Sequence, residues 1–469
     1  MRYFILSVML LMSAVGLYAQ TADDLDASFS KARQELDAIR KEFADSADAA
    51  LADYLEYEAQ LFEEYEKFRD KVMETWGDSV MVESTRKEWV EYSDDKSSRT
   101  SVNWESGKVT VEVLVDPADD QETVRKKLEN AVSGLLSSRG STCGFDSSVL
   151  PDRPVSDTPL LDGQLDLSRY GVSSTVATRT HSAPKPFEAA SPGAPAPSRG
   201  KSLDLSRDKS PRPAVKPAGT SMAAKAEERR KEEELARQRA IEEERLRKEQ
   251  QKALEQVPAA VVASQTPSVQ PVSTSEGVKN IVAITMELVE DHIPKRAEKF
   301  KQMVSSHSAK YSVDEPLIYA IMEQESAFNP VAQSWVPAYG LMQLVPKSGG
   351  RDAYRYVHKE DRIPSPDFLF DPNNNIQLGT GYLKLLMSTT FAKVTDVRCR
   401  MLCAIAAYNT GAGNVSRSIN GTTNISKAIP TINSMSYDQL FSHLKRNLPH
   451  AETQDYIQKV TSKMQKYIK

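Results

Sequence analysis

The chain has 469 residues, with 60 Lys and Arg against 65 Asp and Glu and 40% hydrophobic residues. At about 150 residues per domain there is room for two or three domains, and the interleaving of acidic with basic residues excludes a nucleic-acid surface. Three Cys and six scattered His give neither a disulfide framework nor a metal-ligand cluster, so no metal or other cofactor is expected.

The opening MRYFILSVMLLMSAVGLYAQ sets Arg2 before an apolar run, with small residues at Gly16 and Ala19. This is the pattern of a secretory signal, residues 1–19, cleaved after Ala19. The run is short for a membrane span, although an uncleaved anchor is the alternative. No Cys follows it in a lipid-attachment box, and no later window is apolar enough to cross a bilayer. The expectation is an exported, periplasmic protein that is soluble or peripherally held.

Residues 20–138 read as an acidic α+β domain. Phe29, Ala32, Leu36, Ile39 and Phe43 keep a helical spacing that Leu61, Tyr65, Phe68 and Val72 resume, predicting a helical hairpin or a short coiled coil. Alternation in Trp89–Tyr92, Thr100–Trp104 and Lys108–Val115 predicts three strands, the last two joined at Gly107. Gln121–Leu136 closes the domain as a helix.

Residues 139–221 are rich in Pro, Ser, Ala and Arg and cannot bury enough apolar surface to offset the entropy of ordering, so they read as a disordered linker. Cys143 is a free thiol within it. The pentapeptide LDLSR occurs twice, at Leu165–Arg169 and Leu203–Arg207, either by chance or as a repeated motif for a cell-wall protein partner. Residues 222–256 are nearly all charged, with opposite charges at i, i+4 and no heptad seam. They read as a solvated single helix, a spacer of about 50 Å, rather than a dimerising coiled coil. Residues 257–277 are a second linker.

Residues 278–469 read as a mainly α domain. Ile281–Val289 and Ala297–Tyr311 are predicted amphipathic helices, and Ser312–Glu315 is a helix-start signature with Pro316 in the first turn. Ile318, Ile321, Met322 and Glu325 then fall at i, i+3, i+4 and i+7, so three apolar side chains and one carboxylate share a face. Glu323 points to the opposite, solvated side. Asn329-Pro330 ends the helix soon after. Desolvation and the negative helix end both favour a protonated Glu325, the state a general acid requires. The bland alternative is a Glu at the rim of an amphipathic helix. Asp371-Pro372 caps a helix to Met387, and Cys399–Tyr408 is a small-residue helix in which Cys399 and Cys403 are core residues. Two more helices carry Tyr437–Arg446 and Glu452–Tyr467.

Five motifs occur in order: E-S-x-F-N-P at Glu325–Pro330, A-x-S at Ala332–Ser334, G-L-M-Q at Gly340–Gln343, A-Y-N-x-G at Ala407–Gly411 and P-x-x-E-T-x-x-Y-I-x-K-V at Pro449–Val460. Together they resemble the lysozyme-like lytic transglycosylases. Lys295–Phe300, Leu369–Leu383 and the acidic N-terminal domain are similar, more narrowly, to the membrane-bound lytic murein transglycosylase C group. The resemblance is specific over residues 278–469 and fainter in the N-terminal domain, and residues 139–277 have no counterpart in it.

The resemblance implies a goose-type/SLT lysozyme-like catalytic domain acting on peptidoglycan glycan strands. It implies cleavage of the MurNAc-β-1,4-GlcNAc bond without water, leaving 1,6-anhydro ends, with Glu325 as acid and then base. A hydrolytic glycosidase needs a second carboxylate. Asp371 is accounted for as a cap, while Asp352, Asp361 and Asp367 lie in polar loop sequence. The resemblance further implies that Ser334 bonds near the acid or a sugar, a loop Ser being the alternative. Met342 would pack against a sugar face, the Gln343 amide would bond sugar hydroxyls, and Tyr408 would orient Glu325. Asn409 would shape the turn or touch substrate, and Glu452 and Tyr456 would wall the cleft or form a structural pair. Members of this group are usually lipoproteins, which the missing Cys contradicts. A lysozyme-type muramidase is the nearest alternative. From another class, the chain would be a peptidoglycan-binding scaffold recruiting partners through its N-terminal domain and LDLSR repeats.

Overall fold

A computed structural model describes residues 33–34, 49–77, 81–141, 145, 147–150, 154, 159–170, 234, 237–238, 241, 244–245, 255–334 and 337–468. The predicted signal, the helical face from Phe29 to Phe43, Cys143 and the second LDLSR copy lie outside these residues. The chain divides into two units, one formed by residues 172–257 and the other by the segments on either side. In the first, Glu234, Arg237, Gln238, Ile241, Glu244 and Arg245 are helical and exposed.

The larger unit opens with helix α1 (Ala49–Trp76) and strands β1 (Glu88–Tyr92), β2 (Ser98–Asn103) and β3 (Lys108–Val115), followed by helix α2 (Gln121–Ser137). Asp120 caps α2 by accepting the Thr123 N–H at 2.8 Å. Two strands arrive from far along the chain: β4 (Ser268–Thr274) and β5 (Gly277–Glu287). The sheet is antiparallel in the order β1-β2-β3-β5-β4, and β5 pairs with β3 from Lys108↔Glu287 to Val115↔Asn280.

This corrects the sequence reading in three places. The predicted helix at Ile281–Val289 is a strand, residues 257–277 hold a strand and a helical stretch (255–263) rather than a linker, and a boundary at 278 cuts a hairpin. Val282, Ile284, Met286 and Leu288 are buried while Thr285 and Glu287 are exposed, a period of two. Ile281, Ile284 and Leu288 also match a helical spacing. The β-branched content and the open edge of β3 decide between the two. Val72 and Trp76 of α1 pack on Val90, Tyr92, Leu114, Val272 and Ile281.

The first LDLSR copy is taken up by the fold. Leu165 forms a bridge with Leu288, Leu167 and Tyr170 are buried, and Arg169 reaches Glu287 at 2.6 Å.

Among the described residues eleven α-helices follow: α3 (His292–Lys299), α4 (Lys301–Tyr311), α5 (Glu315–Ser326), α6 (Arg351–His358), α7 (Pro366–Phe370), α8 (Pro372–Leu385), α9 (Val397–Thr410), α10 (Ala412–Asn420), α11 (Ile425–Asn433), α12 (Tyr437–Asn447) and α13 (Ala451–Met464). With the sheet domain this is the expected α+β part followed by a mainly helical part. The α5 start differs in detail from the predicted signature. Ser312 is the left-handed cap of α4 (φ 52°), and Asp314 is the N-cap of α5. Ile318, Ile321 and Met322 are wholly buried in the same apolar cluster as the Leu402–Ala407 stretch of α9, and α13 packs on both helices. Cys399 and Cys403 are free and buried there.

The sheet and the helices share contacts. Leu61 of α1 and Leu150 join Tyr339, Leu344, Tyr354, Leu369 and Phe370 in one apolar cluster, and Glu58 pairs with Lys347 at 2.9 Å in a buried position. Arg296 on α3 donates to Trp104 O at 2.7 Å and to Ala327 O at 2.8 Å, tying the β2–β3 hairpin to the end of α5. Among the described residues no helix is long and apolar enough to cross a membrane.

Candidate active site

Helix α5 ends in two successive non-glycine residues with left-handed backbone, Ala327 (φ 48°) and Phe328 (φ 61°). Such a pair is costly and persists only where packing imposes it. Here Phe328 is fully buried beside Phe300, Tyr319 and Tyr467. The turn leaves Glu325 in the last turn of the helix with 4% of its surface exposed.

Each oxygen of Glu325 has one neighbour able to donate. Tyr456 on α13 donates its hydroxyl to Oε1 at 2.6 Å, and Nη1 of Arg86 lies 3.4 Å from Oε2. Nη2 of Arg86 meanwhile holds Oε1 of Glu452 at 3.0 Å. Burial pushes the Glu325 carboxyl up, Arg86 and the Tyr456 hydroxyl pull it down, and Glu452 raises it again. The net shift is upward, which favours the protonated form.

Glu323 behaves in the opposite way and corrects the sequence reading, which placed it in solvent. It is as buried as Glu325, at 4% exposure. It accepts from Lys463 at 3.0 Å, Lys466 at 2.8 Å and the Tyr467 hydroxyl at 2.7 Å. Burial raises its carboxyl, but these three donors outweigh burial and hold it below the usual range. Two carboxylates two positions apart are therefore shifted in opposite directions, Glu323 toward the charged form and Glu325 toward the protonated one.

The G-L-M-Q loop is bonded to α5 and α8. Ser326 Oγ lies 3.0 Å from Met322 O and 2.8 Å from Leu341 O. Asn375 of α8 accepts from the Met342 N–H and donates to Tyr339 O and Leu369 O, each at 2.8 Å. Gly340 is obligatory: its φ is +76°, and a Cβ would stand 2.4 Å from Asn375 Nδ2 and from Leu369 O.

Several predicted side chains do other work than expected. Tyr408 donates to Met342 O at 2.8 Å and not to Glu325; the orienting tyrosine is Tyr456. Met342 is fully buried, with Gly379 leaving room for its sulfur, so it presents no face to a sugar. The Gln343 amide nitrogen donates to Ala332 O at 2.9 Å and Gly340 O at 3.0 Å, locking the loop. Asn409 accepts from the Thr453 hydroxyl at 2.6 Å, which joins α9 to α13. Ser334 is partly exposed, and its N–H donates to Ala338 O. Of the aspartates, Asp371 caps α8, and Asp361 is exposed and drawn to about 2 by hydrogen bonds from Arg351 and Arg355. The carboxylate linked to Glu325 is Glu452, through Arg86.

Sequence reasoning missed Arg86 and Asn375. Arg86 lies 239 positions from Glu325, and no local pattern marks it. Asn375 could have been found, because it shares a face of α8 with Leu378, Gly379 and Tyr382, a polar residue on an otherwise apolar or small face.

Residues 302–429 match the Transglycosylase SLT domain, and residues 54–172 match the N-terminal domain of membrane-bound lytic murein transglycosylase C. The chain thus carries two segments that match domains of lytic transglycosylases. It is 41% identical over 191 residues to the membrane-bound lytic murein transglycosylase C of Sodalis glossinidius, covering 41% of this chain and 53% of that protein. The same protein of Klebsiella pneumoniae is 42% identical over 195 residues, covering 42% and 53%. The chain spans about half the length of the curated relatives it matches. The lytic transglycosylase Slt of Pseudomonas aeruginosa is 28% identical over 36% of this chain and 23% of its own, with a TM-score of 0.28. The N-terminal match runs to residue 172, past the boundary read at 138, and includes the docked LDLSR copy.

Proposed function

We propose that the chain is an exported peptidoglycan lytic transglycosylase that cleaves the MurNAc-β-1,4-GlcNAc bond of glycan strands and leaves 1,6-anhydro-MurNAc ends, in the service of cell-wall remodelling in the periplasm. The observation that carries the reading is Glu325, a buried carboxyl with a raised proton affinity, hydrogen-bonded by Tyr456. In the first step Glu325 gives its proton to the glycosidic oxygen as the bond from MurNAc C1 breaks. The substrate's own acetamido group stabilises the positive charge at C1. Glu325, now a carboxylate, takes the proton of the C6 hydroxyl while that oxygen bonds to C1. The acid is regenerated and no water is consumed.

One group serves both steps because its two forms are each supported: the acid by burial, the carboxylate by the Tyr456 hydroxyl and Arg86. Tyr408, Gln343, Met342 and Asn375 act on substrate indirectly, by holding the loop that faces it. Ser334, which is partly exposed, would meet a sugar.

The test is mass analysis of purified sacculi digested by the wild type and by Glu325→Gln. The reading expects products one water lighter than hydrolysis products from the wild type and none from the variant. Reducing ends would make the protein a muramidase, and unchanged digestion by the variant would remove Glu325 from the mechanism.

A further inference from the structure

The N-terminal sheet domain reaches into the Glu325 site. Residues 81–87 run from α1 to β1 as a closely bonded hook. Ser84 Oγ accepts the Val90 N–H at 2.9 Å, the Thr85 N–H donates to Glu88 O at 2.7 Å, and Lys87 O accepts the Trp104 N–H at 2.8 Å. Arg86 projects from this hook with its guanidinium between two carboxylates of the helical domain, Glu325 on α5 and Glu452 on α13. The relative position of hook and helix is held from the other side by Arg296. Its guanidinium stacks over the Trp104 ring at 4.8 Å while bonding Trp104 O and Ala327 O, the latter two residues beyond Glu325.

We propose that Arg86 is a working residue of the Glu325 site, supplied by the N-terminal domain to stabilise the carboxylate that Glu325 becomes halfway through the reaction. This rests on the transglycosylase reading. A group that is acid and then base in one turnover serves best when neither form is strongly preferred. Full burial alone raises a carboxyl by up to 3–5 units, which leaves a weak acid. A guanidinium 3.4 Å away offsets part of that rise. Its closer bond to Glu452, at 3.0 Å, keeps it from ionising Glu325 outright. The other charged or titratable groups facing Glu325 are Lys87 on the same hook, Tyr456 on α13 and Tyr408 on α9. None of these is a cation shared between two carboxylates.

The experiment compares pH profiles of kcat/KM on purified glycan strands for the full chain and its Arg86→Gln, Arg86→Lys and Glu452→Gln variants. A general acid loses activity as pH rises through its pKa. Removing Arg86 is therefore expected to move the alkaline limb up by about one unit, so that residual activity above the limb rises about tenfold relative to the optimum, while the rate at the optimum falls at least tenfold. Arg86→Lys should keep the limb within a few tenths of a unit. Glu452→Gln should move it down, a result that general loosening of the fold does not produce. The Glu325 carboxyl is also titrated directly by 13C NMR in the wild type and Arg86→Gln, a readout independent of turnover. Coincident profiles and coincident carboxyl titrations would overturn the proposal. Digestion by Glu325→Gln would instead overturn the transglycosylase reading, whatever the Arg86 variants do.

Discussion

Tyr456 donates a 2.6 Å hydrogen bond to Oε1 of Glu325 across 131 positions of sequence. That contact joins the end of α5 to the closing helix α13 and occupies an oxygen that burial would otherwise leave without a partner. Tyr456→Phe should therefore lower kcat about tenfold, cost about 1–3 kcal/mol of stability, and move the alkaline limb of the pH profile upward. Tyr408→Phe removes a bond to Met342 O and should cost about 1 kcal/mol with the limb unmoved. Chemical denaturation and pH–rate profiles on both variants separate the two tyrosines.

Glu323 and Glu325 should show opposite linkage of stability to pH. The folded-state pKa of Glu323 is depressed, so its contribution is present above its unfolded pKa and is lost as pH falls through the folded value. Glu323→Gln should cost about 3 kcal/mol at neutral pH, because Lys463 keeps its burial and loses its partner. The folded-state pKa of Glu325 is raised, so its contribution is present below the unfolded pKa and is lost as pH rises through the folded value. Glu325→Gln should equal or exceed the wild type in Tm at neutral pH while losing cleavage. Thermal melts at several pH values check both signs.

Gly340→Ala should cost about 2 kcal/mol or more, since it combines a left-handed backbone with a methyl driven against Leu369 O. Asn375→Ala should cost a similar amount by freeing two carbonyls and one N–H of the same loop. Both variants should lose activity with Glu325 intact, as measured by digestion of sacculi per folded molecule.

Cutting the chain at residue 278 should give an insoluble product. It leaves β5 without β3 and β4, exposes its edge, and strips Arg296 of Trp104 O. Deleting residues 172–254 leaves these contacts in place and should leave the product soluble. Solubility and thermal melts of the two fragments distinguish the sheet boundary seen here from the one suggested by composition.

What the sequence determined by itself was local. Ile318, Ile321, Met322 and Glu325 share a face because the helix repeats every 3.6 residues, so a carboxylate among buried apolar groups was legible without a fold. The cap at Asp371, the β2–β3 hairpin and the small-residue helix with Cys399 and Cys403 were legible because they too depend only on neighbours in sequence. The tertiary structure decided everything that depends on a partner distant in the chain. Glu323 is a solvated residue by spacing and a buried anion by contact, because Lys463, Lys466 and Tyr467 lie about 140 positions away. Ile281–Val289 fits two periods, and only pairing with β3 selects the strand. Arg86 carries no sequence signal, since its role consists of meeting two carboxylates that the fold alone brings to it.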